Sequence, residues 1–164
     1  MKTLILVRHA KSSWDDLGLN DFDRPLNDRG KRDAPKMAER LTRKNIEIDA
    51  FISSPAKRAA RTANFFAEEF KAKKKEVIFK TELYLASENV FYDVIIKTDD
   101  KLDIIAVFSH NPGITDFAND LTEIKVDNVP TCGVFAVKIY TKHWADIKEA
   151  KKEFWFFDYP KAEE

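Results

Sequence analysis

The sequence predicts one α/β domain, a three-layer α/β/α sandwich around a mostly parallel central sheet. Three observations carry that expectation. Short strand-like runs alternate with helix-length apolar stripes along the chain. One run, Ile104-Ile105-Ala106-Val107-Phe108, is apolar without a break, as a strand covered on both faces should be. The 164 residues suffice for one sizeable core and are too few for two comfortable ones.

The elements follow in order. Thr3–Val7 reads as the first strand. Ala34, Met37, Ala38 and Leu41 then share a helical face, on which Pro35 imposes either a late start or a kink. Strand Ala50–Ser53 precedes a second stripe of Ala59, Ala63, Phe66 and Phe70. Strand Val77–Lys80 precedes a third, of Val90, Val94 and Ile95. Strand Ile104–Ser109 precedes a fourth, of Ile114, Phe117 and Leu121. The last two strands, Val134–Tyr140 and Glu153–Asp158, have no helix between them and are expected to pair antiparallel. The aromatic run Phe154-Trp155-Phe156-Phe157 lies at an edge. Lys71-Ala72-Lys73-Lys74-Lys75 and the tail Lys161–Glu164 read as solvated surface.

Composition narrows the function. Hydrophobic residues at 44% and charged residues at 34% describe a globular chain. Lys plus Arg equals Asp plus Glu at 28 each, so there is no basic excess to favour nucleic acid or an anionic membrane, and neither is expected as a partner. The apolar start of the chain stops at Arg8-His9, too short for a signal peptide or a span. The single cysteine, Cys132, leaves no internal disulfide and no thiolate cluster for a metal. A cytoplasmic location is the expectation.

Ligands of such sheets bind beyond the carboxyl ends of the strands. The first strand ends in Arg8-His9, the second leads to Ser54-Pro55 and Arg58, and the fourth leads to His110-Asn111-Pro112. Three strand ends thus bring two arginines and two histidines toward one rim. Ser54 and Asn111 each precede a proline, as an N-cap precedes the first helical residue, so two helix N-termini are expected there. Neutral imidazole is abundant near neutral pH and suits attack on phosphorus, provided its other nitrogen holds the proton against a carbonyl or carboxylate. Arg8, Arg58 and a protonated His110 would stabilise the equatorial charge of a transferring phosphoryl group, and Asn111 would join them in binding it.

These residues resemble a known family. Leu6-Val7-Arg8-His9-Ala10 is similar to the Arg-His-Gly signature of the histidine phosphatase superfamily, also called phosphoglycerate mutase-like. Ser53-Ser54-Pro55 with Arg58 and Thr62, Asp23-Arg24-Pro25-Leu26-Asn27 with Gly30, and Ser109-His110 resemble its other blocks, in the family's order. The short chain is similar to the SixA-type branch of phosphohistidine phosphatases. The resemblance implies His9 as nucleophile, a pocket of Arg8, Arg58 and His110, no metal and no cofactor. It implies as partner a phosphorylated protein domain or a small phosphoramidate or phosphoester.

Two positions depart from the family pattern. Ala10 replaces the signature glycine, which matters if that backbone needs a positive φ. Leu85 stands where phosphoester-cleaving relatives carry a glutamate that protonates the leaving alkoxide. The missing acid tilts the expected substrate toward phosphohistidine or another phosphoramidate, whose imidazole leaves readily. Glu82, Asp15 and Asp16 are the substitute acids in reach of the same loops. Arg24 is equally consistent with a pocket residue and with a loop anchor. A phosphoester phosphatase of the same fold, and a module that binds phosphate without hydrolysis, are the alternative functions.

Overall fold

In a computed structural model the chain is described for residues 1–70 and 77–163, so the Lys71–Lys75 run lies outside the described residues. Six strands form one sheet: β1 (Lys2–Arg8), β2 (Ala50–Ser53), β3 (Ile78–Phe79), β4 (Ile104–Ser109), β5 (Val134–Ile139) and β6 (Lys152–Asp158). Their spatial order is β3-β2-β4-β1-β5-β6. β3, β2, β4 and β1 pair in parallel, while β5 runs antiparallel to both neighbours and leaves β6 at the edge. The sheet is therefore mixed and mostly parallel, as the missing final crossover helix required.

Alternation of side chains across the pleat creates two cores. Leu4 and Leu6 of β1, with Ile105 and Val107 of β4, pack on one face with Phe91, Ile95, Ile114 and Phe117 from α3 (Glu88–Ile96) and α4 (Gly113–Leu121). Ile5 and Val7, with Ala106 and Phe108, pack on the other with Met37, Leu41, Ala63 and Phe66 from α1 (Asp28–Thr42) and α2 (Lys57–Glu69). That is the third layer, and both faces of β4 are covered. Among the described residues no helix is long and apolar enough to cross a membrane.

Two expectations about helix starts are corrected. α1 begins six residues before its apolar stripe, because its first turn lies at the surface and carries Asp28, Arg29 and Lys31. Asn27 caps it by accepting a hydrogen bond from the Gly30 N–H at 2.9 Å, and Pro35 sits inside the helix. Ser54 and Asn111 do not cap α2 and α4, which start at Lys57 and Gly113; Ala56 and Pro112 occupy the cap positions without side-chain hydrogen bonds. Two glycines permit close approaches toward the rim. A Cβ on Gly30 would lie 2.2 Å from the Lys11 carbonyl oxygen, and one on Gly113 would lie 1.7 Å from that of Ala86.

Candidate active site

Strand register brings the predicted ends together. Arg8 of β1 pairs with Ser109 of β4, and Ser53 of β2 pairs with Phe108, so the segments that follow all leave the sheet at one rim. His9 and His110 meet there with ring centroids 5.2 Å apart. Both are buried, as is Arg58.

The His9 tautomer follows from its neighbour. Nδ1 lies 2.8 Å from the Ala10 carbonyl, which can only accept, so Nδ1 carries the proton and Nε2 keeps the lone pair. Burial, reinforced by His110, Arg58 and Arg8 against the opposing pull of the Ala10 hydrogen bond, pushes the His9 pKa down to about 3, so the ring is neutral near neutral pH. The loop that holds it is fixed by Thr62, whose hydroxyl accepts from the Ala10 N–H at 3.0 Å and donates to the Arg58 carbonyl at 2.8 Å. Ala10 itself is not among the residues with positive φ, so replacement of glycine imposes no backbone strain.

The other three side chains are also held at one end. His110 Nε2 lies 2.8 Å from Ser54 Oγ, which accepts from the Ala56 N–H at 3.2 Å and so has its own proton to give to the ring. Arg8 donates from Nη1 to the Val129 carbonyl at 3.1 Å. Arg58 donates from Nη1 to the Asp21 carbonyl at 2.6 Å and from Nη2 to Asp21 Oδ2 at 2.9 Å. Three of their other nitrogens, His110 Nδ1, Arg8 Nε and Arg58 Nε, are the buried side-chain nitrogens and oxygens without a hydrogen-bond partner among the described residues. Buried polar groups are ordinarily satisfied, so three orphans in one cluster mark a place built for an oxygen-rich anion.

Several expectations change. A protonated His110 is replaced by a neutral one: burial first, then Arg58, push its pKa down to about 3 against a smaller opposing pull from Asp21. Asn111 does not present its amide to the pocket. It donates to Asn128 Oδ1 at 2.6 Å and to the Val129 carbonyl at 3.1 Å, and accepts from Thr115, which makes it a support for the segment that holds Arg8. Glu82 is exposed and faces a separate cleft with Lys80, Asp93 and Lys97. Asp15 is exposed on the loop after Ser13, whose hydroxyl accepts from its N–H. Arg24 anchors its loop: it is buried, donating to Ser12 Oγ at 2.6 Å and to Asp21 Oδ1 at 3.0 Å, with its guanidinium carbon 3.6 Å from the centre of the Trp14 ring. Leu85 is exposed, with φ at 51°, a left-handed conformation unusual for a leucine.

Sequence reasoning missed Asp21 and Tyr84. The Tyr84 hydroxyl donates to Asp21 Oδ2 at 2.6 Å, and the Tyr84 ring stands edge-on to His110 at 5.5 Å. Partial burial works to raise the Asp21 pKa, but hydrogen bonds from Tyr84, Arg24 and Arg58 outweigh it and hold the carboxyl well below the usual range. Nothing in the spacing separates Asp21 from Asp15, Asp16 and Asp23; only the fold brings it to an arginine 37 positions away.

Comparison with known proteins places this geometry. The chain is 28% identical over 152 residues to the uncharacterized protein Rv1276c of Mycobacterium tuberculosis, covering 87% of this chain and 92% of that one. It is 48% identical over 61 residues to the uncharacterized chloroplastic protein At3g52155 of Arabidopsis thaliana. That match covers 37% of this chain and spans only 28% of the relative's length. Its fold matches the structure of a protein histidine phosphatase SixA complexed with tungstate at a TM-score of 0.82, with 19% identity, over 96% of this chain and 97% of that one. The family model of the histidine phosphatase superfamily (branch 1) matches residues 4–84, a stretch that contains Arg8, His9, Arg24, Gly30, Ser54, Arg58 and Thr62. Ala10 and Thr62, which fix His9 and its loop, thus fall where that family's pattern runs, while His110 lies beyond it, and the chain belongs to the histidine phosphatase superfamily.

Proposed function

We propose that this protein is a phosphohistidine phosphatase of the SixA type that works through a covalent phosphohistidine on His9. The observation that carries the reading is the fixed tautomer of His9: Nδ1–H on the Ala10 carbonyl leaves Nε2 as a neutral nucleophile among three unpartnered donors. Nε2 attacks phosphorus as the bond to the leaving group breaks, and the Ala10 carbonyl steadies the proton on Nδ1 while the ring becomes cationic. Arg8 Nε, Arg58 Nε and His110 Nδ1 stabilise the equatorial oxygens, so charge neutralisation asks for no metal or cofactor. Water then attacks the phosphorylated His9, phosphate departs, and Nε2 recovers its lone pair while Nδ1 keeps its proton.

Phosphohistidine suits this pocket better than a phosphoester. Transfer from one imidazole to another exchanges a P–N bond for a P–N bond, so it is close to thermoneutral and needs no strong acid. The position of the relatives' glutamate is filled by Leu85, and Asp21 is held ionised. The substrate classes that fit are a phosphorylated protein domain and a small phosphoramidate, met by a protein of the cytoplasm.

The test is to incubate the protein with phosphoramidate, quench in alkali and map the label. One phosphate on His9, stable to alkali and lost in acid, is expected, with no label and no turnover in His9→Ala. Undiminished turnover in that variant refutes the mechanism, and alkyl phosphates cleaved as fast as phosphohistidine refute the substrate.

A further inference from the structure

Asp21 lies at the start of a short 3-10 turn, Asp21–Asp23, capped by Asn20, whose Oδ1 accepts from the Asp23 N–H at 3.1 Å. Its carboxylate is gripped from three sides. Arg58 and Tyr84 donate to Oδ2 at 2.9 and 2.6 Å, while Arg24 donates to Oδ1 through Nε at 3.3 Å and Nη2 at 3.0 Å. It therefore stays charged and has no proton to give a leaving group.

Its place in depth matters equally. The Arg58 side chain is 3% exposed and the Asp21 side chain 45% exposed, so the carboxylate stands on the solvent side of the buried guanidinium. His9 is buried, so in-line displacement by it would send a leaving group toward solvent, the side on which this carboxylate stands. Tyr84, which holds Oδ2, directly precedes Leu85, the position that matches the leaving-group acid of phosphoester-cleaving relatives. The outer wall thus presents a fixed negative charge beside a residue that cannot protonate anything.

We propose that Asp21 is a specificity-determining residue that selects substrates whose leaving group carries positive charge, above all an N-phosphorylated imidazolium. This rests on the reading of His9 as the nucleophile. In the step, a P–N bond forms at His9 Nε2 and the substrate P–N bond breaks, its electron pair returning to the ring nitrogen. The imidazolium proton remains on the opposite ring nitrogen, stabilised by the carboxylate, and a neutral imidazole departs. Without that proton the leaving group would be an imidazolate. A phosphomonoester brings no such cation, and the carboxylate disfavours its departing oxyanion.

One half-exposed carboxylate beside the leaving group is worth on the order of tenfold in rate. The experiment compares kcat/KM for phosphoimidazole and for p-nitrophenyl phosphate in the wild type, Asp21→Asn and Asp21→Glu. In Asp21→Asn the ratio of the two is expected to fall about tenfold, with the pH at which phosphoimidazole turnover is lost on the alkaline side moving down; Asp21→Glu is expected to restore most of the ratio. An unchanged ratio, with both substrates slowed alike, overturns the proposal and leaves Asp21 as a support for Arg58. Failure of wild-type protein to turn over phosphoimidazole overturns it too. Label trapping on His9 in the same preparations separates these results from failure of the nucleophile itself.

Discussion

Acidification tests the buried histidine pair directly. His9 and His110 titrate near 6.5 in an unfolded chain and are each pushed down to about 3 in the fold. Between those values the unfolded state binds more protons than the folded one, so stability falls as pH falls. Above pH 6.5 the pair contributes no slope; below it, each histidine costs about 1.4 kcal/mol per pH unit until pH approaches 3. From pH 7 to pH 5 the loss is about 2 kcal/mol per histidine, or about 4 kcal/mol for the pair, a large share of the roughly 5–15 kcal/mol that holds a domain of this size. The carboxyls of Asp21, Asp100 and Asp103 are lowered from 3.8, so their contribution is present above that value and disappears only below it, outside this window. The assay is urea unfolding followed by far-UV circular dichroism at pH 5, 6 and 7, for the wild type, His110→Gln and His9→Gln. Each variant should lose about half of the wild-type pH dependence. A wild-type stability that stays level from pH 7 to 5, or variants that retain its full slope, would show that the rings are not held neutral by burial.

Other outcomes follow from single contacts. Arg58→Lys keeps the charge but loses the planar fork held by Asp21, and kcat/KM for phosphoramidate should fall about a hundredfold; a change below threefold in steady-state assays would contradict the orienting role. Gly113→Ala drives a Cβ onto the Ala86 carbonyl and should lower stability by about 3 kcal/mol in urea unfolding, whereas an unchanged midpoint would mean the helix start shifts freely. Leu85→Glu restores a carboxyl to the outer wall and should raise alkyl phosphate turnover by about tenfold or more. No gain in that assay would show that this position does not overlook the pocket.

The sheet was legible because β1 and β4 are buried on both faces and announce it: Leu4 and Leu6 belong to one core, Ile5 and Val7 to the other, and none of the four is polar. The rim was legible because Arg8 ends β1, His9, Ser54 and His110 directly follow strands, and Arg58 sits in the first turn of the helix after Ser54. The start of α1 was hidden, since its first turn is a charged surface turn that no apolar stripe marks. The neutrality of His110 was hidden as well, because burial is a property of the packed pocket and His110 is only 2% exposed there. Asn111 misled for a related reason: an amide beside a proline reads as a cap or a ligand until Asn128 and Val129 arrive from a distant loop to occupy it.

The division of labour within the site explains both the success and the limits of that reading. Each of the four central side chains is tied to the protein at one end and offers a nitrogen at the other: His9 to Ala10, His110 to Ser54, Arg8 to Val129, and Arg58 by two nitrogens to Asp21. The offered nitrogens belong to residue types that chemistry demands, and those stand out in a sequence. The ties are mostly backbone carbonyls, at Ala10, Val129 and Asp21, which any residue supplies and no motif reveals. Preorganisation requires both halves, because a donor free to rotate must be ordered during the reaction. The segments carrying Asp21 and Val129 are therefore as much a part of the proposed phosphoryl pocket as the strand ends. Asp21 differs from the other ties in one respect that bears on the proposed substrate choice: it brings a side-chain charge as well as a carbonyl, and it brings it to the solvent side of Arg58.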